Sequence, residues 1–298
     1  MAARYWFLII LIGAIWGGSF LFNAVLIREI SPLWVSAGRV SIGAVICWAF
    51  FFATRRKLPD DRRLYPQFLL LGIMNYAVPF ALFPFAEEHL ASGIVGVING
   101  MTPMTTVIVS QLWPGGEKAA WNKGIGVIIG LLGAALLASP SLGIGAGNQV
   151  VALLAALGAT CCYALTLNYA RRFKAIDSAT IASSSLTGAA LVSIPVAYLF
   201  TGAPVITRAE TWGALLAIGV FSTSFSFLVV YWLLPRVGAT NLSLNTFITP
   251  VSAILLGVLV LHERFLPVHV AGIVVIFLGL VFIDGRLVRR WLPQAKPA

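Results

Sequence analysis

Two prolines in long apolar stretches are the residues whose type and spacing best indicate chemistry. Pro103 and Pro250 each follow a threonine and lie 147 positions apart. Proline lacks the N–H that would bond the carbonyl four residues earlier, so it loosens a helix at that point. The affected carbonyls belong to Asn99 and Thr246. We expect the prolines to act either as hinges beside a binding cavity or as static kinks satisfied by a neighbouring threonine or by water.

A second set of residues combines amides, hydroxyls and aromatic rings at similar depth in the apolar stretches. Lipid-facing positions rarely carry such groups, so we expect most of them inside a helix bundle. One interpretation is a substrate cavity, where rings surround an apolar side chain and polar groups bind a carboxylate or ammonium. The alternative is helix–helix packing, which hydroxyl and amide groups stabilise by about 0.6 kcal/mol each. The candidate cavity residues are Trp16, Ser19, Asn75, Tyr76, Asn99, Thr102, Tyr163, Ser222, Ser224, Ser226, Asn245 and Thr249.

Charged side chains are scarce in the apolar stretches. Arg39 is the one formal charge well inside a predicted membrane segment. It is either a counter-charge for a substrate carboxylate or a structural arginine satisfied by helix-end carbonyls. All ten Asp and Glu residues fall in loops or at helix ends, and Glu117 and Glu263 each precede a helix start that they could cap. Because proton-driven carriers commonly use intramembrane carboxylates, we expect transport without obligatory proton coupling.

Composition indicates which elements must position these residues. The 298 residues are 59% hydrophobic and only 10% charged, with a mean hydropathy of +0.95, whereas soluble domains carry roughly 25% charged residues. A membrane helix needs about 20 apolar residues, and backbone groups in lipid must be satisfied internally. We therefore predict an all-α membrane protein with ten transmembrane helices. Their predicted bounds are Trp6–Ile27, Pro32–Ala53, Pro66–Phe85, Leu90–Leu112, Trp121–Ala138, Gln149–Tyr169, Ser178–Phe200, Thr211–Leu234, Ala239–Leu261 and Pro267–Ile283.

The distribution of positive charge predicts the orientation. The net charge is +10, but most Lys and Arg residues fall at the N-terminus, in alternate loops and in the C-terminal tail. Only Arg28, Arg208 and Arg264 fall on the opposite side. This asymmetry is typical of a multi-pass protein with both termini in the cytoplasm, rather than of a nucleic-acid-binding protein. We expect a bacterial cytoplasmic (inner) membrane location.

The second half of the chain resembles the first. Gly72 and Phe80 align with Gly219 and Phe227 at the same offset of 147 that relates the prolines. The halves predicted are residues 1–145 and 146–298, which together form one membrane domain. Five crossings are an odd number, so the second half would insert upside down relative to the first, an architecture found in many secondary transporters.

The sequence also resembles a known family over essentially its whole length. Trp16-Gly17-Gly18-Ser19, Arg39, the two proline-centred helices ending in Glu and the glycine-spaced helix after each resemble the EamA-type branch of the drug/metabolite transporter superfamily. The resemblance implies ten helices in two inverted five-helix repeats and export of small metabolites. Within that branch, the resemblance points first to amino-acid exporters, including bacterial exporters of aromatic amino acids. The resemblance places Arg39 outside the helices that line the cavity, which favours its structural role.

The glycine-spaced stripe of the fifth predicted helix has two interpretations. Gly126, Gly130 and Gly133 could pack within the chain or dimerise it, so a monomer is plausible but the oligomeric state is undetermined.

We expect a small-molecule substrate and the lipid bilayer as partners, with no cofactor, no metal and no nucleic acid. An exporter of amino acids working by alternating access is the main hypothesis. A multidrug or lipid-intermediate carrier is the alternative; an enzyme would need a nucleophile–base pair that the sequence does not offer.

Overall fold

The structure is a computed structural model that describes residues 3–116, 118–142, 147–173 and 176–286. Across these residues the chain is all-helical, and it is a multi-pass membrane protein. The ten helices are α1 (Ala3–Leu26), α2 (Pro32–Ala53), α3 (Leu64–Glu87), α4 (Ser92–Leu112), α5 (Trp121–Ala138), α6 (Gly147–Tyr169), α7 (Ser178–Thr201), α8 (Ala209–Val230), α9 (Asn245–Leu259) and α10 (Pro267–Asp284). The predicted bounds of α2 and α5 are confirmed, and most others differ by a few residues.

The ninth predicted helix is shorter than expected. Within the described ranges, nine helices are long and apolar enough to cross a membrane, and α9, with 15 residues, is the shorter one. At 1.5 Å per residue it spans about 22 Å, less than the roughly 30 Å of a bilayer core. After Val230 the chain stays helical as far as Leu242, with a kink at Gly238, where φ is 76° and ψ is 158°. The predicted start at Ala239 therefore coincides with the short helical segment after this kink, whereas α9 itself begins at Asn245.

Two helices contain π-helical segments, which the sequence did not predict. They cover Ile73–Ala77 in α3 and Ile218–Phe225 in α8. In the second segment, the hydroxyls of Thr223 and Ser224 donate to carbonyls five residues earlier, both at 3.0 Å. A π-turn holds more residues than an α-turn and so redirects side chains, and such turns are frequent at functional sites. When the first segment is shifted by 147 residues, the offset that relates the two prolines, it falls within the second segment.

The two prolines have different local structures. α4 consists of two shorter helices, Ser92–Asn99 and Thr102–Leu112, so Pro103 lies in the first turn of the second one, where no N–H is needed. The Thr102 hydroxyl donates to the Asn99 carbonyl at 2.7 Å. Pro250 lies inside α9. A neighbouring threonine thus satisfies the Asn99 carbonyl, as the static-kink interpretation supposed, and the hinge role stays a prediction.

Helices from the two halves of the chain pack against each other. The main pairs are α1 with α9, α2 with α7, α5 with α10 and α4 with α9. In addition, α3 packs on α6 and α7, α4 packs on α6, and α8 packs on α1 and α2. Each helix has a counterpart in the other half, five helices along the chain, so that α1 corresponds to α6 and α2 to α7. When every helix is replaced by its counterpart, the same set of packed pairs results. Such a pattern is what two related halves would produce, and their inverted orientation stays a prediction.

The glycine stripe of α5 packs within the chain. A β-carbon on Gly126 would lie 2.6 Å from the carbonyl oxygen of Gly279, and one on Gly133 would lie 2.9 Å from that of Gly272. Both distances are too short for a real contact, so the backbones of α5 and α10 approach each other because neither has side chains there. Of the two interpretations of the stripe, the structure shows the intramolecular one.

Glu263 caps a helix other than the expected one. Its carboxylate accepts hydrogen bonds from the backbone N–H of Ser92 at 2.6 Å and of Gly93 at 3.1 Å. These are the first residues of α4, whereas the sequence placed the cap at the start of the following helix, α10. The prediction was wrong about the partner, because sequence distance does not show which helix terminus lies nearby. The equivalent prediction for Glu117 concerns a residue outside the described ranges.

Candidate functional site

A cavity of about 370 Å³ lies between the helices of both halves. Its volume is within the range of small-molecule sites, and its walls are mostly apolar with a few polar groups. The lining residues come from α1, α2, α3, α4, α6, α8, α9 and the turn before α9. They are Trp16, Ser19, Phe20, Asn23, Arg39, Asn75, Phe80, Phe83, Asn99, Gly100, Thr102, Tyr163, Leu167, Ser222, Phe227, Leu242, Ser243, Asn245, Thr246 and Thr249.

The structure brings together nine of the twelve candidate residues. Those lining the cavity are Trp16, Ser19, Asn75, Asn99, Thr102, Tyr163, Ser222, Asn245 and Thr249. The remaining three, Tyr76, Ser224 and Ser226, are not among its lining residues. Ser224 donates to the Gly43 carbonyl at 3.2 Å and Ser226 to the Phe221 carbonyl at 2.8 Å, so both serve helix packing. The Tyr76 ring is buried with its edge against the Phe227 ring, at 5.4 Å between centroids.

Aromatic rings form much of the apolar wall. Phe83 packs edge-on against Phe20 at 5.7 Å and lies 6.0 Å from Tyr163. Trp16 lies 6.1 Å from Phe227, and its indole N–H donates to the backbone carbonyl of Ser222 at 3.2 Å. The phenylalanines were missed by sequence reasoning because a buried ring in a packed core and a ring in a cavity wall look alike. Their spacing from polar candidates on the same helix face is the signal that could have identified them.

Arg39 lines the cavity, which corrects the expectation that it lies outside. Its Nε donates to the Thr223 hydroxyl at 2.9 Å, and its guanidinium carbon lies 3.6 Å from the centroid of the Phe80 ring. This contact is short enough for a cation–π interaction. Among the described residues, Arg39 donates a hydrogen bond only from Nε, so the N–H groups of its two terminal nitrogens are available to a ligand. The geometry comes from the packing of α2 on the π-helical segment of α8.

Several buried polar atoms of the cavity have no hydrogen-bond partner in the described part of the chain. They are Ser19 Oγ, Asn23 Oδ1, Thr249 Oγ1 and both polar atoms of the Asn245 amide. Each of these four side chains is at most 5% exposed. An unpaired buried polar group costs about 1–3 kcal/mol, so such groups normally have a partner. Because all four line the cavity, a bound molecule can supply those partners.

A buried carboxylate lies beside the cavity, contrary to the expectation from the sequence. Glu87 is the last residue of α3 but is only 8% exposed. Its Oε1 accepts a hydrogen bond at 3.0 Å from the amide of Asn23, a cavity residue. Sequence reasoning correctly placed Glu87 at a helix end but missed its burial, because helix position alone does not show what covers a helix end.

Comparisons with known proteins agree with this architecture. The chain matches the EamA-like transporter family twice, at residues 4–139 and 150–284. It is 25% identical to the uncharacterized transporter YoaV of Bacillus subtilis (strain 168) over 275 residues, which cover 91% of this chain and 94% of YoaV. It is also 25% identical to an S-adenosylmethionine/S-adenosylhomocysteine transporter of Chlamydia trachomatis serovar L2, over 95% of this chain and 86% of that one.

A solved crystal structure shows the same fold. It superposes on 98% of this chain and 100% of its own with a TM-score of 0.70, at 19% sequence identity. At that identity the likeness shows the fold alone. The family match, in contrast, covers most of the chain in two consecutive segments. This chain belongs to the EamA-like transporter family of membrane transporters.

Proposed function

We propose that this transporter exports amino acids, mainly aromatic and neutral ones, across the bacterial cytoplasmic membrane by alternating access. The observation that carries the proposal is the set of unpartnered, buried polar atoms in a cavity that is otherwise walled by aromatic rings. A polar head group and an apolar side chain on one molecule would match both features. Zwitterionic amino acids with large side chains have this combination.

The cavity offers separate partners for the three parts of such a molecule. The terminal nitrogens of Arg39 suit a carboxylate, because arginine can donate two parallel hydrogen bonds to it. The unpartnered oxygens of Ser19 and Asn23, four residues apart on α1, can accept hydrogen bonds from an ammonium group. The Asn245 amide and the Thr249 hydroxyl offer further hydrogen bonds to the bound molecule. The Phe20, Phe83 and Tyr163 rings would then surround the side chain. Because rings accept many apolar shapes, a broad substrate range is expected.

Alternating access would use the two related halves of the chain. In this proposal residues 1–145 and 146–298 are inverted repeats. The helix pairs support this, because they stay the same when each helix is replaced by its counterpart in the other half. The broken helix α4 and the proline-containing helix α9 pack on each other and both line the cavity. Movement about Pro103 and Pro250 would open the cavity to one side at a time. The outward direction follows from the family resemblance, and cytoplasmic termini follow from the charge distribution.

Cationic metabolites are a second candidate substrate class. A carboxylate near the cavity would suit a cationic substrate, and Glu87 is buried beside the cavity residue Asn23. The similar chlamydial protein carries a name that includes S-adenosylmethionine, which is a sulfonium cation. A multidrug or lipid-intermediate carrier stays within this class of alternatives. Burial of Glu87 also removes the reason for expecting uncoupled transport, and the experiments below test that expectation.

Uptake by proteoliposomes tests the proposal directly. Labelled phenylalanine, threonine, methionine, lysine, glutamate and S-adenosylmethionine would each be offered to vesicles containing the purified protein. Saturable uptake of phenylalanine and methionine, with little uptake of glutamate, is the expected result. Uptake of S-adenosylmethionine alone would favour the second candidate and reject the first.

A matched pair of variants separates binding from folding. Asn245→Leu removes an unpartnered cavity amide, whereas Asn241→Leu removes an amide that donates to the Val237 carbonyl four residues earlier, outside the cavity lining. We expect Asn245→Leu to reduce phenylalanine uptake by about tenfold, equivalent to about 1.4 kcal/mol of lost binding, and Asn241→Leu to retain it. Equal losses in both variants would mean that the cavity amide has no special role in binding.

A further inference from the structure

A buried carboxyl group with one unpaired oxygen lies next to the cavity at Glu87. Its Oε1 accepts a hydrogen bond from Asn23, while its Oε2 is buried with no hydrogen-bond partner in the described residues. Ionised carboxylates are rarely buried without a full set of partners, because water solvates them far better than an apolar interior. A carboxyl group that gains and loses a proton avoids this cost in the protonated state.

Two charged groups from other parts of the chain act on Glu87. They are the carboxylate of Glu263 and the guanidinium of Arg39. From α6, Tyr163 lines the same cavity. Directly after its own helix, the exposed Glu88 and His89 follow in the chain. Glu263 is already engaged with the N–H groups of α4, so its negative charge is held in place.

Asn23 connects this carboxyl group to the cavity. Its amide nitrogen donates to Glu87, and its amide oxygen is a buried acceptor without a partner in the described residues. An ammonium group in the cavity could donate to that oxygen and would be attracted by a negative Glu87 behind it. Neutral Glu87 offers no such attraction. Proton and ammonium would thus compete for one negative charge.

We propose that Glu87 is a proton site that couples transport to a proton gradient by antiport. In the empty cavity the carboxylate takes up a proton and becomes the neutral acid. When an ammonium-bearing substrate binds next to Asn23, the acid releases that proton to cavity water and the carboxylate remains. One proton then moves in for each substrate that moves out. This mechanism rests on the proposed function for its substrate, whereas the proton site itself does not.

Infrared difference spectroscopy tests the proton site without any substrate. The protein, reconstituted in membranes, would be titrated while the C=O stretching band of protonated carboxyl groups is recorded. We expect a titrating band in the native protein and in Glu88→Gln, which alters the exposed neighbour, and loss of that band in Glu87→Gln. A band that persists unchanged in Glu87→Gln would overturn the proposal. If Glu87→Gln does not fold, Asn23→Ala provides the second variant: removing the donor to Glu87 should move the pH at which the band titrates, and an unmoved titration would overturn the proposal.

Vesicle transport tests the coupling. Proteoliposomes with a lumen more acidic than the medium should accumulate labelled phenylalanine, since protons leave as substrate enters. In Glu87→Gln the remaining exchange of phenylalanine should no longer respond to pH, while Glu88→Gln should behave as the native protein does. Native protein that exchanges phenylalanine but ignores the gradient would overturn coupling and leave the proposed function intact. If phenylalanine is not exchanged at all, the amino-acid proposal fails, and the infrared titration still decides whether Glu87 is a proton site.

Discussion

Glu263 and Ser92 lie 171 residues apart, yet an oxygen of the Glu263 carboxylate lies 2.6 Å from the backbone nitrogen of Ser92. This contact joins the loop before α10 to the first residue of α4. Because α4 continues from Ser92 to the cavity residues Asn99 and Thr102, the contact positions one wall of the cavity from the other half of the chain.

Removing this cap should destabilise the protein. In Glu263→Gln the side chain keeps its shape but loses the charge that interacts with the N-terminus of α4. We expect a loss of about 0.5–2 kcal/mol in the free energy of unfolding, the usual range for helix caps. Thermal unfolding in detergent measures this loss of stability. The control is Glu210→Gln, because the Glu210 side chain is exposed and pairs only with the exposed Arg208 among the described ion pairs. Equal unfolding temperatures for the two variants would contradict the capping role.

Replacing Arg39 should affect substrates according to their charge. Arg39→Lys keeps the positive charge but loses the planar donor set that suits a carboxylate. We expect it to bind phenylalanine about tenfold more weakly, while binding of an analogue lacking the carboxylate changes little. Competition against labelled phenylalanine in proteoliposomes gives both affinities. If both ligands weaken equally, Arg39 would act as a structural residue, as its bond to Thr223 also permits.

A cavity hydroxyl and a packing hydroxyl should respond differently to removal. Thr249→Val removes an unpartnered hydroxyl from the cavity wall, so ligand binding should weaken by a few-fold, within about 0.5–1.5 kcal/mol for a neutral hydrogen bond. Ser226→Ala removes a hydroxyl bonded to the Phe221 carbonyl outside the cavity, so the affinity for phenylalanine should not change. Weaker binding in Ser226→Ala but not in Thr249→Val would show that the ligand lies elsewhere.

Close packing of α5 on α10 should make one glycine position intolerant of a methyl group. In Gly126→Ala the new β-carbon would lie 2.6 Å from the Gly279 carbonyl oxygen, so the two helices must separate. We expect a loss of about 1–3 kcal/mol, typical of overpacking. Gly124→Ala is the matched control, because a β-carbon there meets no atom within 4 Å. Similar unfolding temperatures for both variants would show that the interface yields without cost.

Acid should weaken one contact between loops on the same side of the protein. The Thr207 hydroxyl and backbone N–H donate to Glu29 at 2.6 and 2.7 Å. These bonds lower the pKa of Glu29 from its ordinary value of 4.5 to about 2, and the bond from the Thr207 hydroxyl has the largest effect. Because the folded pKa is the lower one, this contact stabilises the fold fully above about 4.5, and its contribution is lost as pH falls towards 2.

Comparing Glu29→Gln with the native protein measures this pH dependence. The difference in unfolding temperature between the two should be largest near neutral pH and shrink as the pH falls through the window from 4.5 to about 2. Glu210→Gln provides a control carboxylate near the same loop. A difference that stays constant on acidification would mean that the Glu29 charge contributes nothing.

Most membrane helices could be predicted from the sequence because a bilayer imposes a local requirement. A run of apolar residues of sufficient length must form a helix, whichever helices it packs against. Pro32 and Trp121 begin helices where predicted, since each follows a polar or loop segment. Nine of the twelve candidate residues chosen in this way line one cavity, because polar groups avoid lipid. The same reasoning failed where burial depends on another part of the chain.

The residues that sequence reasoning missed share one physical cause. Whether Glu87 is solvated depends on how α1 packs against the end of α3. Whether Arg39 reaches the cavity depends on the π-helical segment of α8, which no local pattern indicated. The sequence by itself determined that this chain forms apolar helices in two similar halves with polar groups turned inward. Only the tertiary structure decided which charges enter the cavity and which helix end Glu263 caps, because these depend on contacts between residues far apart in the chain.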